Sequence, residues 1–403
     1  MSRSCSILFI MLALATLGFA TPAAAAAPYK VGGHCGGFPR VALITRPGSC
    51  VGLVGSGLGF PRGVAEHKGD FYITDMGSWL PNRGRLLRVR LDRPWKPIVV
   101  LPHLDRPSSI VTGADGYIYI AESTRIIRIN PYARDVAASA QPVVIGFPGN
   151  GLHSLPGLAL ARQGGLFVSV GAASDNCENK NGRRPNPNPC PELFAKPPRG
   201  SILFLPPRSQ RPVSAASLRV YATGIRNTLA MEQLPSGLLL AASNGRDNID
   251  SADPLLSDDL LPHDLLLGVT ANSRYGWPYC FDFDRPSPEY PLARCATFAR
   301  PAMLLPPHSA PLSMLAYDGK LTPRPTLILA YHGYRAAGHR IVAYPTNASG
   351  MPVGSSIDLI SGWNAATGVR PQGSPIAMLP LADGSILIVE DHNGTLLRLA
   401  VAR

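Results

Sequence analysis

The segment Gly63-Val-Ala-Glu-His-Lys-Gly-Asp-Phe-Tyr-Ile-Thr-Asp75 reads as a short apolar strand, a glycine-bearing turn and a second alternating strand, and five further segments share its shape. They are Ser109-Ile-Val-Thr-Gly-Ala-Asp-Gly-Tyr-Ile-Tyr-Ile-Ala-Glu122, Gly157-Leu-Ala-Leu-Ala-Arg-Gln-Gly-Gly-Leu-Phe-Val-Ser-Val170, Thr228-Leu-Ala-Met-Glu-Gln-Leu-Pro-Ser-Gly-Leu-Leu-Leu-Ala-Ala-Ser-Asn244, Leu312-Ser-Met-Leu-Ala-Tyr317 through Thr326-Leu-Ile-Leu-Ala-Tyr-His332, and Pro375-Ile-Ala-Met-Leu-Pro-Leu-Ala-Asp-Gly-Ser-Ile-Leu-Ile-Val-Glu-Asp391. Period-two or fully apolar runs punctuated by a glycine turn are antiparallel hairpins. Several copies continue into a third strand, as in Gly84-Arg-Leu-Leu-Arg-Val-Arg90 and Thr395-Leu-Leu-Arg-Leu399. A strand-turn-strand-loop-strand unit recurring at roughly 50 residues, with longer insertions in the fourth and fifth copies, predicts propeller blades. A plain sandwich or barrel leaves the recurrence unexplained. The expected fold is therefore all-β, a six-bladed β-propeller forming one domain over residues 27–403, with no amphipathic helix of ordinary length.

The chain has 403 residues and 45% hydrophobic composition, enough to bury a large core. Residues 1–26 carry Arg3, an apolar run from Ser6 to Ala20, then Thr21-Pro22 and a string of alanines, which is the layout of a cleaved secretory signal. The run is short for a bilayer, and no later stretch approaches ~20 uninterrupted apolar residues, so a permanent membrane span is not expected. A periplasmic or secreted location follows. Of seven cysteines, Cys5 leaves with the signal. The other six fall into local pairs, Cys35 with Cys50, Cys177 with Cys190 and Cys280 with Cys295, and in an oxidising compartment these are expected to be disulfides. Their spacing suits neither a zinc site nor covalent haem attachment.

The formal charge of +12 comes almost wholly from arginine, since the 38 basic residues include only six lysines. No basic run is present, which argues against nucleic acid as a partner. Gly55-Ser-Gly57-Leu-Gly59 resembles a dinucleotide loop only superficially, because Pro61 follows and no helix opens there. In a propeller the innermost strand of each blade runs along the central channel, so the residues just before it gather at one mouth. Ahead of the six first strands stand Arg62, Arg106, His153, Arg226 with Asn227, His308 and Arg370. This placement predicts a focused positive field able to hold an anionic ligand. At the ends of the second strands stand Asp75, Glu122, Asn244, His332 and Asp391, which either cap loops or pair with those arginines.

Several motifs resemble the glucose/sorbosone dehydrogenase family, quinoproteins whose six-bladed propeller binds pyrroloquinoline quinone (PQQ). They are Tyr221-Ala-Thr-Gly-Ile-Arg-Asn227, Asn244-Gly-Arg-Asp247, Tyr275-Gly-Trp-Pro-Tyr-Cys280, Pro61-Arg-Gly63 with Thr74-Asp-Met-Gly-Ser-Trp79, His153 ahead of Leu166-Phe-Val-Ser-Val-Gly171, His308-Ser-Ala-Pro311 and His332-Gly333. The likeness runs from about residue 35 to 400, in the family's order. It implies that His153 is the general base for the anomeric hydroxyl of a sugar, a task suited to imidazole. It also implies that Arg226 stands beside the reacting quinone carbonyl, where a fixed cation stabilises a developing oxyanion. Asn227, Arg62, Arg246, Asp247, His332, Arg335 and Arg370 are the implied cofactor contacts; His332 stands where some relatives have a lysine. A calcium ion, Ca2+, is implied against main-chain oxygens at Gly245 and Arg246.

Two departures from the family pattern stand out. Ser374 occupies the last-blade position where relatives of the sorbosone type carry an arginine, with Arg370 the nearest substitute, and the aromatic stretch after His332-Gly333 is shortened to Tyr334-Arg335. The expected activity is oxidation of an aldose or related sugar, with electrons passing to a separate acceptor, a cytochrome or a quinone. The competing readings are a calcium-dependent propeller lactonase, which would recruit Asp75, Glu122 and Asn244 as ligands, and a non-catalytic propeller that binds glycans or proteins.

Overall fold

The computed structural model describes residues 29–178, 188–207, 211–364 and 373–402. The expected signal peptide, 1–26, and Arg370 lie outside the described residues. Within them the expected fold is present: six sheets of four or more strands, antiparallel but for one parallel outer pair in each of two sheets, with helix limited to short 3-10 turns. The innermost strands are Pro61–His67, Ile110–Thr112, Leu158–Leu160, Met231–Gln233, Pro311–Tyr317 and Pro375–Pro380, one from each repeat quoted above, and define blades I to VI. Each packs against the next, and Pro375–Pro380 packs back against Pro61–His67, so the ring closes.

The ring is closed by pairing strands from the two ends of the chain. Blade VI takes three strands from the C-terminal end, Pro375–Pro380, Ile386–Glu390 and Thr395–Val401, and its next strand, Ser49–Gly55, from the N-terminal part. The Cys35–Cys50 disulfide lies on this seam, packed with Ala400. All three expected disulfides are formed.

The apolar strands are explained by where the core sits. Six large clusters lie between adjacent blades rather than inside one sheet; Leu166, Val168 and Val170 of blade III meet Ile126 and Val144 of blade II, for example, while Phe167 on the other face meets Leu239 and Ala241 of blade IV. A central blade strand is thus covered on both faces, which is why Leu166–Val170, Leu239–Ser243 and Ile386–Glu390 lack polar alternation and are buried throughout. Each fully buried Leu or Ile contributes about 1.5–3 kcal/mol.

Polar groups at the ends of these strands fix the entry loops. The buried carboxylate of Asp75 accepts the main-chain N–H of Gly59 at 3.0 Å and of Phe60 at 2.6 Å, just before the inner strand of blade I, and also holds Arg85 of the third strand at 2.9 Å. Glu122 does the same in blade II, accepting from Asp105 N at 2.6 Å and Arg125 Nε at 2.5 Å. Glu390 does so in blade VI, accepting from Ser374 N at 3.0 Å and Thr395 Oγ1 at 3.1 Å. Unpaired N–H groups in a buried loop are costly, so a carboxylate that collects them pins each loop to its blade. The propeller mouth is built on these pins.

Candidate active site at the propeller mouth

A cavity of about 330 Å³ opens where the entry loops converge, and its wall includes Arg62, His153, Arg226, Asn227, Gly245, Asp247, His308, His332 and Arg335. Residues as far apart in sequence as 62 and 335 are thus brought together by the radial arrangement of blades. Arg246 is not in the wall; its guanidinium turns away to Glu289, and its Nε lies 3.7 Å from Asp175.

His153 is set by its loop. Its Nδ1 lies 3.0 Å from the carbonyl oxygen of Ala172. A carbonyl only accepts, so Nδ1 carries the proton and Nε2 keeps the lone pair. Burial, then the nearby Arg226 charge, pushes the imidazole pKa down to about 3, so the ring is neutral in ordinary buffers. Gly171 makes this seat possible: a Cβ there would meet the Cβ of His153 at 2.4 Å and its carbonyl oxygen at 2.5 Å.

Arg226 is buried and held by one residue that sequence reading did not single out. Its Nε donates to the main-chain oxygen of Asp175 at 2.9 Å, and its Nη2 to the Asp175 carboxylate, with Asp247 Oδ2 further off at 3.4 Å. Asp175 is in turn fixed by Trp277 Nε1, which donates to the same main-chain oxygen at 3.0 Å. This support belongs to a stapled unit. The Cys177–Cys190 and Cys280–Cys295 loops pack together with Trp277, Tyr279 and Tyr290, and Tyr279 Oη accepts from Cys190 N at 2.6 Å. The only signal in the sequence was position, since Asp175 stands two residues before Cys177 and Glu289 six before Cys295.

His308 bridges acceptors on both nitrogens, with Nδ1 at 3.2 Å from Asp247 Oδ1 and Nε2 at 2.5 Å from the carbonyl oxygen of Asp258. Two acceptors require two protons, which makes the imidazolium the matching form; the hydrogen bond to Asp247 raises its pKa, and the same bond lowers that of Asp247. The residue lies in the left-handed backbone region, φ 53°, so His308-Ser-Ala-Pro311 bends the chain into blade V and lines the site at once. Asp391 is fully buried and accepts from Arg62 Nη1 at 2.8 Å, with His332 Nε2 at 3.0 Å. Burial raises the Asp391 pKa, but His332 and Arg62 outweigh it and hold the carboxyl below its usual range. Arg335 is held by Asp258, 2.8 Å from Nη1 to its main-chain oxygen, and by Asp259.

These pairings correct the expected focused positive field. Every expected arginine within the described residues has an acidic partner, so the mouth is a ring of ion pairs rather than of free cations. Arg106 is not in the cavity wall; it folds back onto Asp105 at 2.9 Å and Ser123 at 2.8 Å. Asp75 and Glu122 are also outside the wall, being committed to pinning loops, whereas Asn244 lines it with an Oδ1 that is buried and has no partner. A second unpartnered buried polar atom is Nε of Arg62. Ser374, buried and hydrogen-bonded through its main chain to Glu390, does not reach the cavity.

The same architecture occurs in solved structures. One is the family AA12 carbohydrate-active enzyme of Trichoderma reesei, with a TM-score of 0.73 and 16% identity over 90% of this chain and 98% of that one. The chain shares their propeller fold. A second is the holo form of the PQQ domain of pyranose dehydrogenase from Coprinopsis cinerea, TM-score 0.70 and 19% identity over 91% of this chain and 99% of that one. A third is the PQQ-bound aldose sugar dehydrogenase of Streptomyces coelicolor, TM-score 0.60 and 15% identity over 89% of this chain and 100% of that one. No protein-family model matches the chain, and no curated protein does.

Proposed function

We propose that this protein is an exported, PQQ-dependent sugar dehydrogenase that oxidises an aldose or related sugar. The observation that carries this reading is the shared cavity in which a neutral imidazole with a free Nε2, on His153, faces the same space as the fixed guanidinium of Arg226. The likeness to propellers whose names include PQQ and sugar dehydrogenase supports it.

The donor set suits a planar polycarboxylate. Arg62 has a buried Nε still to be satisfied, and Asn227, His332 and Arg335 share its cavity. These residues would hold the carboxylates, and Arg226 would face the reacting carbonyl. Ca2+ suits the main-chain oxygens at Gly245 and Arg246, joined by the orphaned Oδ1 of Asn244, all hard donors. Among the described residues no group of three or more His, Cys, Asp or Glu side chains offers an alternative metal site. With the Arg246 side chain tied to Glu289, its main chain rather than its guanidinium takes this role. Asp247, already bonded to His308, keeps the Arg226 side of the cavity in register.

PQQ supplies, when bound, a two-electron acceptor for hydride. His153 Nε2 takes the proton from the anomeric hydroxyl, because Nδ1 is committed to the Ala172 carbonyl and Nε2 is the unprotonated nitrogen. Removing that proton makes loss of hydride from the same carbon favourable. Arg226 is prevented from swinging away by Asp175, so it stabilises negative charge without first reorganising. The disulfides and the amino-terminal segment support export, and electrons leave to a separate acceptor, a cytochrome or a quinone.

The test is reconstitution of the purified protein with PQQ and calcium, followed by dye reduction across a panel of aldoses. Saturable, sugar-dependent reduction is the expected result. No turnover on any sugar, together with metal-dependent hydrolysis of lactones without added quinone, would replace this reading with the lactonase.

A further inference from the structure

A second and larger cavity, about 810 Å³, occupies the central channel on the far side of Arg62, Leu229 and Leu312, the three residues whose side chains wall both spaces. It opens at the other end of the propeller, since its rim includes the hairpin turns at Gly113–Asp115 and Gly164–Gly165, which follow the inner strands rather than precede them. Each blade contributes an apolar side chain from its inner strand: Val64, Ile110, Leu158, Met231, Met314 and Ile376. The wall is mixed, since Arg62, Asp115, Arg128, Arg162, Glu232 and Gln233 stand beside these apolar side chains, and a volume of this size with polar groups set among apolar ones is that of a small-molecule site.

One carboxylate of this wall stands without a partner. Glu232 is at the middle of the inner strand Met231–Gln233, half-buried, and among the described residues it has no hydrogen-bond or ion-pair partner. Its neighbours on that strand are accounted for: Gln233 accepts from Arg162 N at 2.7 Å and donates to the Gly237 oxygen at 2.8 Å. Arg162, exposed at the rim, is the one cation whose charge Glu232 senses, and burial outweighs it, raising the carboxyl to about 7. An unpaired carboxylate removed from water is a costly arrangement, and a cation brought to it recovers the lost interaction.

We propose that this cavity binds an organic cation, with an apolar body against the six-residue ring and a single ammonium group at Glu232. The site is separate from the propeller mouth and needs neither quinone nor sugar, so its fate does not depend on the dehydrogenase reading.

Benzylamine, with benzyl alcohol as its neutral counterpart, is a suitable probe, titrated calorimetrically into the full protein without quinone about one pH unit above the Glu232 pKa. Benzylammonium is expected to bind saturably, and Glu232→Gln to weaken it by at least about tenfold while leaving benzyl alcohol unchanged. Ala377→Phe, which fills the channel from blade VI and keeps the carboxylate, is expected to abolish binding of both, and it tests the site even if Glu232→Gln does not fold. Absence of saturable benzylammonium binding to the parent protein, equal affinity in Glu232→Gln, or undiminished binding in Ala377→Phe each overturns the proposal.

Discussion

The Asp175 carboxylate and its own main-chain oxygen both receive the guanidinium of Arg226, 51 residues further along the chain. This two-point grip sets the plane and direction of a buried arginine that shares a cavity with His153. It comes from a loop closed by a disulfide and braced by Trp277, so the guanidinium ahead of the blade IV inner strand is oriented by an insertion in blade III.

Asp175→Asn keeps the shape of that support and removes its charge. The expected outcome is a fall in kcat of at least about tenfold with a smaller change in KM, because orientation of Arg226 matters most when negative charge develops. Breaking a buried pair also destabilises by about 3–5 kcal/mol, so the melting temperature should fall in the same variant. Steady-state kinetics and a thermal scan read both effects.

His153 and His308, two of the three histidines in the mouth wall, give opposite pH signatures. His153 has a folded pKa of about 3, below its unfolded value, so the stability it contributes is complete above about pH 6.5 and is lost as pH falls toward 3. His308 is raised, so its contribution is complete below the unfolded value and is lost as pH rises through the folded one. Urea unfolding across pH should therefore show a shallower acid limb in His153→Gln, by up to about 1.4 kcal/mol per pH unit, and a shallower alkaline limb in His308→Gln. Interchanged or absent effects would refute the assigned protonation states.

Joining Cys35 to Cys50 closes a loop with a sequence separation of 15 on the seam where the first and last strands of the ring meet. Replacing both with alanine is expected to cost about 3 kcal/mol in denaturant unfolding. Turnover in the absence of denaturant should be preserved, because this bridge lies in blade VI away from the cavity wall. Replacing Cys177 and Cys190 should instead lower kcat, since that bridge carries Asp175.

The fold was legible because blades are local objects. A hairpin with a glycine turn is written in consecutive residues, and six of them at similar spacing leave little choice of architecture. Arg62, His153, Arg226 and His308 were legible for a related reason, as each stands just before or at the start of an inner strand and the topology aims it at the axis. What escaped was pairing across distance. Asp175, Glu289 and Asp258 reach their arginines from insertion loops whose course no periodicity records. Arg106 sits at the expected offset but adopts a left-handed backbone, φ 47°, and turns onto Asp105. Nor could the placement of Glu232 in the wall of the central channel be read without knowing which face of its strand looks inward.

The most direct measurement compares the parent protein with His153→Gln, both loaded with PQQ and calcium, for quinone affinity and for sugar-dependent dye reduction. Loss of a general base typically costs about 10²–10⁴ in rate, so kcat should drop within that range while quinone affinity stays within a few-fold. A variant that turns over at the parent rate would contradict the assignment of His153 as the base, and with it the chemistry placed at this mouth.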